Sequence, residues 1–154
     1  MRLLTWNCQG LGNSWIIRGL HKIVREQDPM VCFLMNTQMF REDFKKLCKD
    51  TNLHHWFFVK KPGWGGGLAL LWKEGVDVRV INGSDNHILA KVVEEDGSEW
   101  FLTSLYGWPE ESQKPNSWVL LNHIKSFVYG PWACIRDFNA ILSSIEYLPW
   151  STHG

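Results

Sequence analysis

Five polar residues stand at or just after the ends of apolar, strand-like segments of this sequence. They are Asn7, Asn36, Tyr106, Asp137 and Asn139. If those strands lie side by side, their ends meet at one rim of the sheet, where open α/β sheets carry their chemistry. A carboxylate among amides and a phenol suits a hard cation such as Mg²⁺ together with a phosphate group. Each residue taken alone is also compatible with a capped turn, so the prediction of a site depends on their convergence.

The segment RDFN, residues 136–139, is the most specific part of this set. Asp137 and Asn139 are two positions apart in an extended segment, so they point to the same side. An aspartate there can polarise a water molecule for attack on phosphorus, and an asparagine can hold that water in line.

Other polar motifs favour structural readings. The GWGGG segment at 63–67 lacks the Lys-Ser/Thr pair and the helix of a phosphate-binding loop, so it predicts a turn before a strand. His54 and His55 have no further ligand at metal spacing, which favours packing. His87 follows a Gly-Ser-Asp-Asn turn and is predicted to be a hydrogen-bonded turn histidine.

The elements that would position these residues alternate between strands and helices. Apolar spacing predicts helices from residue 13 or 14 to about 27, over roughly 39–50 and over 117–128. An Asp-Gly-Ser turn between the predicted strands 87–95 and 99–107 predicts a β-hairpin. The remaining apolar segments predict strands at 2–7, 30–37, 54–61, 68–73, 76–81, 87–95, 99–107 and 132–139. This order predicts an α/β (α+β) fold, with mixed, largely antiparallel sheets and helices outside them.

Composition limits the class of protein. The chain has 154 residues, 45% hydrophobic and 21% charged, which is typical of one globular domain. Its formal net charge is zero, so the basic excess usual in nucleic-acid binders is absent. No apolar segment is long enough for a membrane span, and no signal peptide is recognisable. Four cysteines without metal spacing favour reduced thiols, so we expect a cytoplasmic or nuclear protein.

Five motifs, in this order, resemble the endonuclease/exonuclease/phosphatase superfamily. They are LLTWNCQGLGN (3–13), VCFLMNT (31–37), GWGGGLALLWK (63–73), SLYGWPEE (104–111) and WACIRDFN (132–139). The chain is most similar to the apurinic-type endonuclease domain of plant non-LTR (LINE-type) retrotransposons. The resemblance implies a four-layer sandwich, two β-sheets face to face with helices outside, and phosphoester cleavage with Mg²⁺ or Mn²⁺.

The resemblance also implies roles for individual residues. Asn7 matches the family's strand-end asparagine beside the metal, and Tyr106 matches a tyrosine that contacts the scissile phosphate. Asp137 matches the aspartate at the reaction centre, and Asn139 matches its partner that holds the nucleophile. Asn36 stands at the position of the metal-binding glutamate and is therefore a degenerate metal ligand.

Three departures from the family pattern predict weakened activity. Asn36 replaces a carboxylate with a neutral amide, and Arg136 replaces a glycine beside the predicted cation site. The family's terminal Asp-His pair has no counterpart, since His153 follows RDFN too closely. We therefore expect a partial, C-terminally truncated domain over 1–142, an incomplete second sheet, and a divergent tail over 143–154.

Three functional hypotheses follow. The first is an inactive relic of a Mg²⁺-dependent phosphodiesterase or endonuclease, retained for binding. The second is a working metal-dependent nuclease or phosphatase whose missing ligands come from the substrate or a partner. The third is an interaction module in which exposed edge strands pair with a partner protein or a second copy. DNA is a candidate partner despite the neutral charge.

Overall fold

The computed structural model describes residues 2–8, 14–37, 41–60, 67–107, 112 and 115–137. Its three helices are α1 (Ser14–Gln27), α2 (Arg41–Asp50) and α3 (Asn116–Lys125). Its eight strands, in chain order, are β1 (Leu3–Asn7), β2 (Val31–Met35), β3 (His55–Val59), β4 (Leu68–Trp72), β5 (Asp77–Ser84), β6 (His87–Val93), β7 (Glu99–Tyr106) and β8 (Trp132–Asp137). The predicted order of elements is confirmed over these residues. Asn139 and the predicted tail, 143–154, lie outside the described ranges.

The strands form two four-stranded sheets. The first sheet has the order β1-β2-β4-β3 and the second has the order β5-β6-β7-β8. Within the first sheet β1 and β2 are parallel, and within the second β7 and β8 are parallel. The other neighbouring strands are antiparallel. The predicted mixed, largely antiparallel arrangement is therefore confirmed.

Three apolar cores separate four layers. Leu20 of α1 and Phe44 of α2 pack on the outer face of the first sheet. The inner faces of the two sheets enclose a second core that includes Phe33 and Leu102. Ile124 of α3 packs on the outer face of the second sheet. The predicted α/β sandwich, with two sheets face to face and helices outside, is confirmed in these layers.

Alternation along each strand determines which side chains enter the space between the sheets. In β2, Phe33 and Met35 belong to the inter-sheet core, whereas Cys32 and Leu34 pack towards the helices. All five residues of β2 are buried, because both faces of the strand are covered. In β1 the same alternation places Asn7 on the inter-sheet face of the first sheet.

Two element boundaries differ from the sequence prediction by three residues. Strand β5 continues to Ser84 rather than ending at 81, because the register shifts between Val80 and Asn82 and lets pairing resume beyond Ile81. Helix α3 ends at Lys125 rather than 128, because the backbone N–H groups from Ser126 to Val128 bond carbonyls three residues back, and the Ser126 hydroxyl also donates to His123 O. The predicted hairpin is confirmed, with Gly97 in the left-handed region at φ 86°.

Three of the four cysteines are buried, namely Cys8, Cys32 and Cys48. Burial raises the pKa of the Cys8 thiol to about 12 and that of Cys48 to about 11. These thiols are therefore core residues rather than nucleophiles at neutral pH. Among the described helices, none has the length and apolar character needed to cross a membrane.

Candidate functional site at the strand ends

Three of the residues predicted from the sequence meet in one hydrogen-bonded group, the strand-end cluster of Asn7, Asn36 and Tyr106. The Asn36 Nδ2 amide donates to Asn7 Oδ1 at 3.1 Å and to Tyr106 Oη at 2.9 Å. Asn7 ends a strand of the first sheet and Tyr106 ends a strand of the second. The cluster therefore connects the two sheets at one end of the space between them.

The backbone at Asn36 directs its amide towards both neighbours. Met35, the last residue of β2, is the register partner of Asn7, and Asn36 follows it with φ 52°. Asparagine enters this left-handed region more readily than most residues. The chain therefore leaves the strand at Asn36, and the amide does not continue the alternation of β2.

Gly67 supports the chain that follows Asn36. The backbone N–H of Thr37 donates to Gly67 O at 3.3 Å. Gly67 has φ +116°, and a Cβ at this position would lie 2.9 Å from Thr37 Oγ1. The last glycine of the GWGGG segment is therefore required by its backbone conformation and by this close approach. Residues 61–66 lie outside the described ranges.

The main chain of Tyr106 is held by Asn86. The Tyr106 N–H donates to Asn86 O at 2.8 Å, and the Asn86 Nδ2 amide donates to Tyr106 O at 3.1 Å. Sequence reasoning missed this role of Asn86. No local signal points to it, because the carbonyl of Tyr106 lies 20 residues away in sequence.

Asn86 belongs to a second group, the turn cluster of Asn82, Ser84, Asn86 and His87. His87 Nε2 lies 2.7 Å from Asn82 Oδ1, and His87 Nδ1 lies 2.6 Å from Ser84 Oγ. The Asn86 backbone N–H donates to Ser84 Oγ at 3.2 Å. A neutral His87 that carries its proton on Nε2 satisfies all of these contacts, because Asn82 Oδ1 can only accept. The prediction of a hydrogen-bonded turn histidine is confirmed.

The environment of His87 favours its neutral form. Burial lowers the pKa of His87 below its usual value, and the nearby His123 imidazole of α3 lowers the pKa further. Both effects disfavour a positive charge on this ring, and His87 is only 5% exposed.

Asp137 reaches the same end of the second sheet through its backbone. Strands β7 and β8 are parallel, and Asp137 is the register partner of Tyr106. Arg136 is the register partner of Leu105, so backbone alternation assigns positions 136 and 137 to opposite faces of the sheet. Asn139 lies outside the described ranges.

His54 and His55 lie away from this end of the sheets. His55 Nε2 lies 2.8 Å from Glu74 Oε2, and its ring stacks on Trp72 with centroids 5.9 Å apart. His55 is the first residue of β3, an outer strand of the first sheet, and His54 directly precedes it. His55 therefore has a packing contact with Trp72 and a side-chain hydrogen bond with Glu74.

Comparison with known proteins identifies the fold. No protein-family model matches the sequence, and the search of curated proteins found no match. Among solved structures, the human Nocturnin catalytic domain is similar over 100% of this chain and 69% of its own length, with 12% identity and a TM-score of 0.70. The endonuclease domain of TRAS1, a telomere-specific non-LTR retrotransposon, matches 90% of this chain and 59% of its own length, with 14% identity and a TM-score of 0.66. The chain therefore shares the fold of these endonuclease/exonuclease/phosphatase-type proteins.

A further structure with the endonuclease/exonuclease/phosphatase fold contains DNA. D. rerio TDP2 complexed with a single-strand DNA product matches 98% of this chain and 64% of its own length, with 18% identity and a TM-score of 0.63. The chain thus spans between 59% and 69% of the length of these three proteins. At these identities the comparisons establish the fold alone.

The described residues of the cluster do not fit the divalent cation that the superfamily resemblance implies. Hard cations select oxygen ligands, carboxylates above all. Here Asn7, Asn36 and Tyr106 supply two amides and a phenol but no carboxylate, and Asn36 directs N–H donors rather than oxygens at its partners. Within the described ranges, no three His, Cys, Asp or Glu side chains are grouped so that they could hold a metal ion.

Proposed function

We propose that this chain is a catalytically silent endonuclease/exonuclease/phosphatase-type domain, related to the endonucleases of non-LTR retrotransposons and retained for binding. The similarity to the TRAS1 endonuclease domain and the five sequence motifs support the origin. The observation that carries the loss of activity is the Asn36 amide, which donates both of its contacts into the strand-end cluster.

The chemistry of phosphodiester cleavage explains why this substitution matters. Metal-assisted cleavage requires a cation held where negative charge develops on the phosphate, together with an activated nucleophile. A neutral amide whose N–H groups face the neighbouring oxygens gives a cation no anionic ligand at position 36. Loss of one member of such a catalytic unit commonly lowers the rate by about 10²–10⁴-fold.

A plasmid-nicking assay with Mg²⁺ or Mn²⁺ tests this proposal. We expect no cleavage of plain or abasic DNA above the level of an Asp137→Ala control. Asn36→Glu alone is expected to remain inactive, because one restored ligand does not rebuild a whole catalytic unit. Robust nicking by the unmodified chain that disappears in Asp137→Ala would overturn the proposal.

One observation favours a working Mg²⁺- or Mn²⁺-dependent nuclease instead. Asp137 is the register partner of Tyr106, so the predicted catalytic carboxylate and phenol belong to adjacent strand ends. In this second candidate function the substrate or a partner supplies the missing ligands. The same nicking assay separates the two functions, and adding Mn²⁺ gives the second candidate its most favourable condition.

Binding through strand edges is the proposed use of a silent domain. Within the described ranges, β1 and β8 each pair with one neighbouring strand, and each ends at the cluster. An outer strand can add a strand of a partner protein or a second copy through backbone hydrogen bonds. Sedimentation velocity over a concentration series tests self-association: a dimer supports pairing between copies, and a monomer excludes it. Binding of single-stranded DNA is the corresponding nucleic-acid test, which the TDP2 complex motivates.

A further inference from the structure

Two oxygen atoms from different sheets converge on one nitrogen atom. Asn7 Oδ1 lies 3.1 Å and Tyr106 Oη lies 2.9 Å from Asn36 Nδ2. Tyr106 is 8% exposed, so its hydroxyl lies in a largely enclosed setting. Polar oxygens in such a place need a source of positive charge or a hydrogen-bond donor.

We propose that the two N–H groups of the Asn36 amide take the place of a divalent cation in this cluster. The partial positive charges of the N–H groups satisfy the Asn7 and Tyr106 oxygens, so the two sheets are tied together at this end without metal. This proposal rests on the proposed function. It specifies which hydrogen bonds hold Asn7 and Tyr106 together in a domain that no longer binds a cation.

The geometry also implies that replacing a single atom would convert this cluster into a cation site. In Asn36→Asp, an oxygen replaces Nδ2 in a side chain of the same shape, and aspartate tolerates φ 52° nearly as well as asparagine does. Three oxygens, one of them from a carboxylate, would then converge where two N–H donors lie now. Such a set is the type that Mg²⁺ and Ca²⁺ select.

Position 7 provides a matched control with the same change of charge. In Asn7→Asp the carboxylate still accepts from Asn36 Nδ2, which becomes a charge-assisted hydrogen bond. The N–H groups of Asn36 remain in place, so this variant gains a negative charge without gaining convergent oxygens. A response to cations that arises from charge alone would appear in both variants.

The test is thermal unfolding of the wild-type chain, Asn36→Asp and Asn7→Asp in EDTA and in about 10 mM CaCl₂ or MgCl₂, above the range of weak protein sites. We expect the Tm of Asn36→Asp to fall below that of the wild type in EDTA and to rise by about 3 °C or more with a cation. The wild type and Asn7→Asp should shift by less than about 1 °C on the same scale.

A cation-dependent rise in the wild type would overturn the proposal, as would an equal rise in both variants or an Asn36→Asp variant indifferent to cations. If Asn36→Asp does not fold, Asn7→Asp decides: a cation-dependent rise counts against the proposal, and no rise supports it. Because Tm is measured, this outcome is independent of strand cleavage. A wild-type chain that nicks DNA would overturn the proposed function without altering the result for the amide.

Discussion

The strand-end cluster and the turn cluster are two polar groups at the same end of the second sheet, and both hold Tyr106. The strand-end cluster bonds the Tyr106 hydroxyl through Asn36, whereas the turn cluster bonds its main chain through Asn86. The first connects two sheets, and the second lies within one sheet. The first contains amides and a phenol, and the second contains a buried imidazole with a lowered pKa.

This difference distinguishes the strand-end cluster, the candidate functional site, from the turn cluster that supports it. The turn cluster is built of complementary donors and acceptors around a neutral histidine, which is the pattern of a structural group. The strand-end cluster has residue types that suit phosphate chemistry, yet Asn36 joins them in the same structural way. Residue types that suit phosphate chemistry can therefore form a hydrogen-bonded connection between two sheets.

The largest expected effect concerns the backbone that supports the strand-end cluster. Gly67→Ala should lower the free energy of unfolding by about 2–4 kcal/mol, because it adds strain at positive φ to a clash with Thr37. Gly75→Ala is the matched control, since Gly75 also has positive φ but has open space around its Cβ position. It should cost only about 1–2 kcal/mol. Equal losses in urea unfolding would show that the close approach to Thr37 has no energetic weight.

The turn cluster should respond next most strongly. His87→Ala removes a buried ring and leaves Asn82 and Ser84 without their partner, so we expect a loss of about 2–3 kcal/mol in the free energy of unfolding. His54→Ala, at an exposed position, should change stability by less than about 0.5 kcal/mol. A loss at His87 no larger than that at His54 would contradict the structural role of the turn cluster.

Removal of one hydroxyl tests the tie between the sheets. Tyr106→Phe keeps the ring but deletes the oxygen that accepts from Asn36, so it should cost about 0.5–1.5 kcal/mol. Tyr129→Phe is the matched control, because Tyr129 is 74% exposed. Urea unfolding should show no change in that variant, and an unchanged Tyr106→Phe would indicate that the bond to Asn36 contributes little.

The smallest expected effect is the change of folding stability with pH, which should distinguish the turn cluster from the strand-end cluster. The pKa of His87 is lower in the folded chain than in the unfolded chain, mainly through burial. The unfolded chain therefore binds more protons as the pH falls below about 6.5, and the stability that neutral His87 contributes decreases. Unfolding at pH 7.5 and pH 5.5 should show this decrease in the wild type and a smaller one in His87→Gln. The lowered pKa of His21 accounts for part of the residual slope. An identical slope in the two chains would contradict the role of His87.

Much of the fold could be predicted from strand and helix periodicity. The all-buried run of β2 and the Asp-Gly-Ser hairpin are local signals, and the structure confirms both. Pairing between distant strands is not a local property, so the meeting of Asn7, Asn36 and Tyr106 depended on a supposed strand order. The contacts of Asn36 could not be predicted, because they depend on its left-handed backbone conformation, which alternation along β2 does not reveal. Asn86 was missed because its partner lies 20 residues away in sequence.

The most direct test of the central claim is the binding of Mn²⁺ to the wild-type chain, followed by electron paramagnetic resonance of the free aqueous ion. If the Asn36 amide satisfies the Asn7 and Tyr106 oxygens, protein at matched concentration should leave the free Mn²⁺ signal unchanged up to about 1 mM metal, the weak end of protein cation sites. The signal should be the same for the Asp137→Ala variant. Stoichiometric loss of free Mn²⁺ with the wild type, reversed in Asp137→Ala, would show that a cation binds at this end of the sheets and would contradict the account.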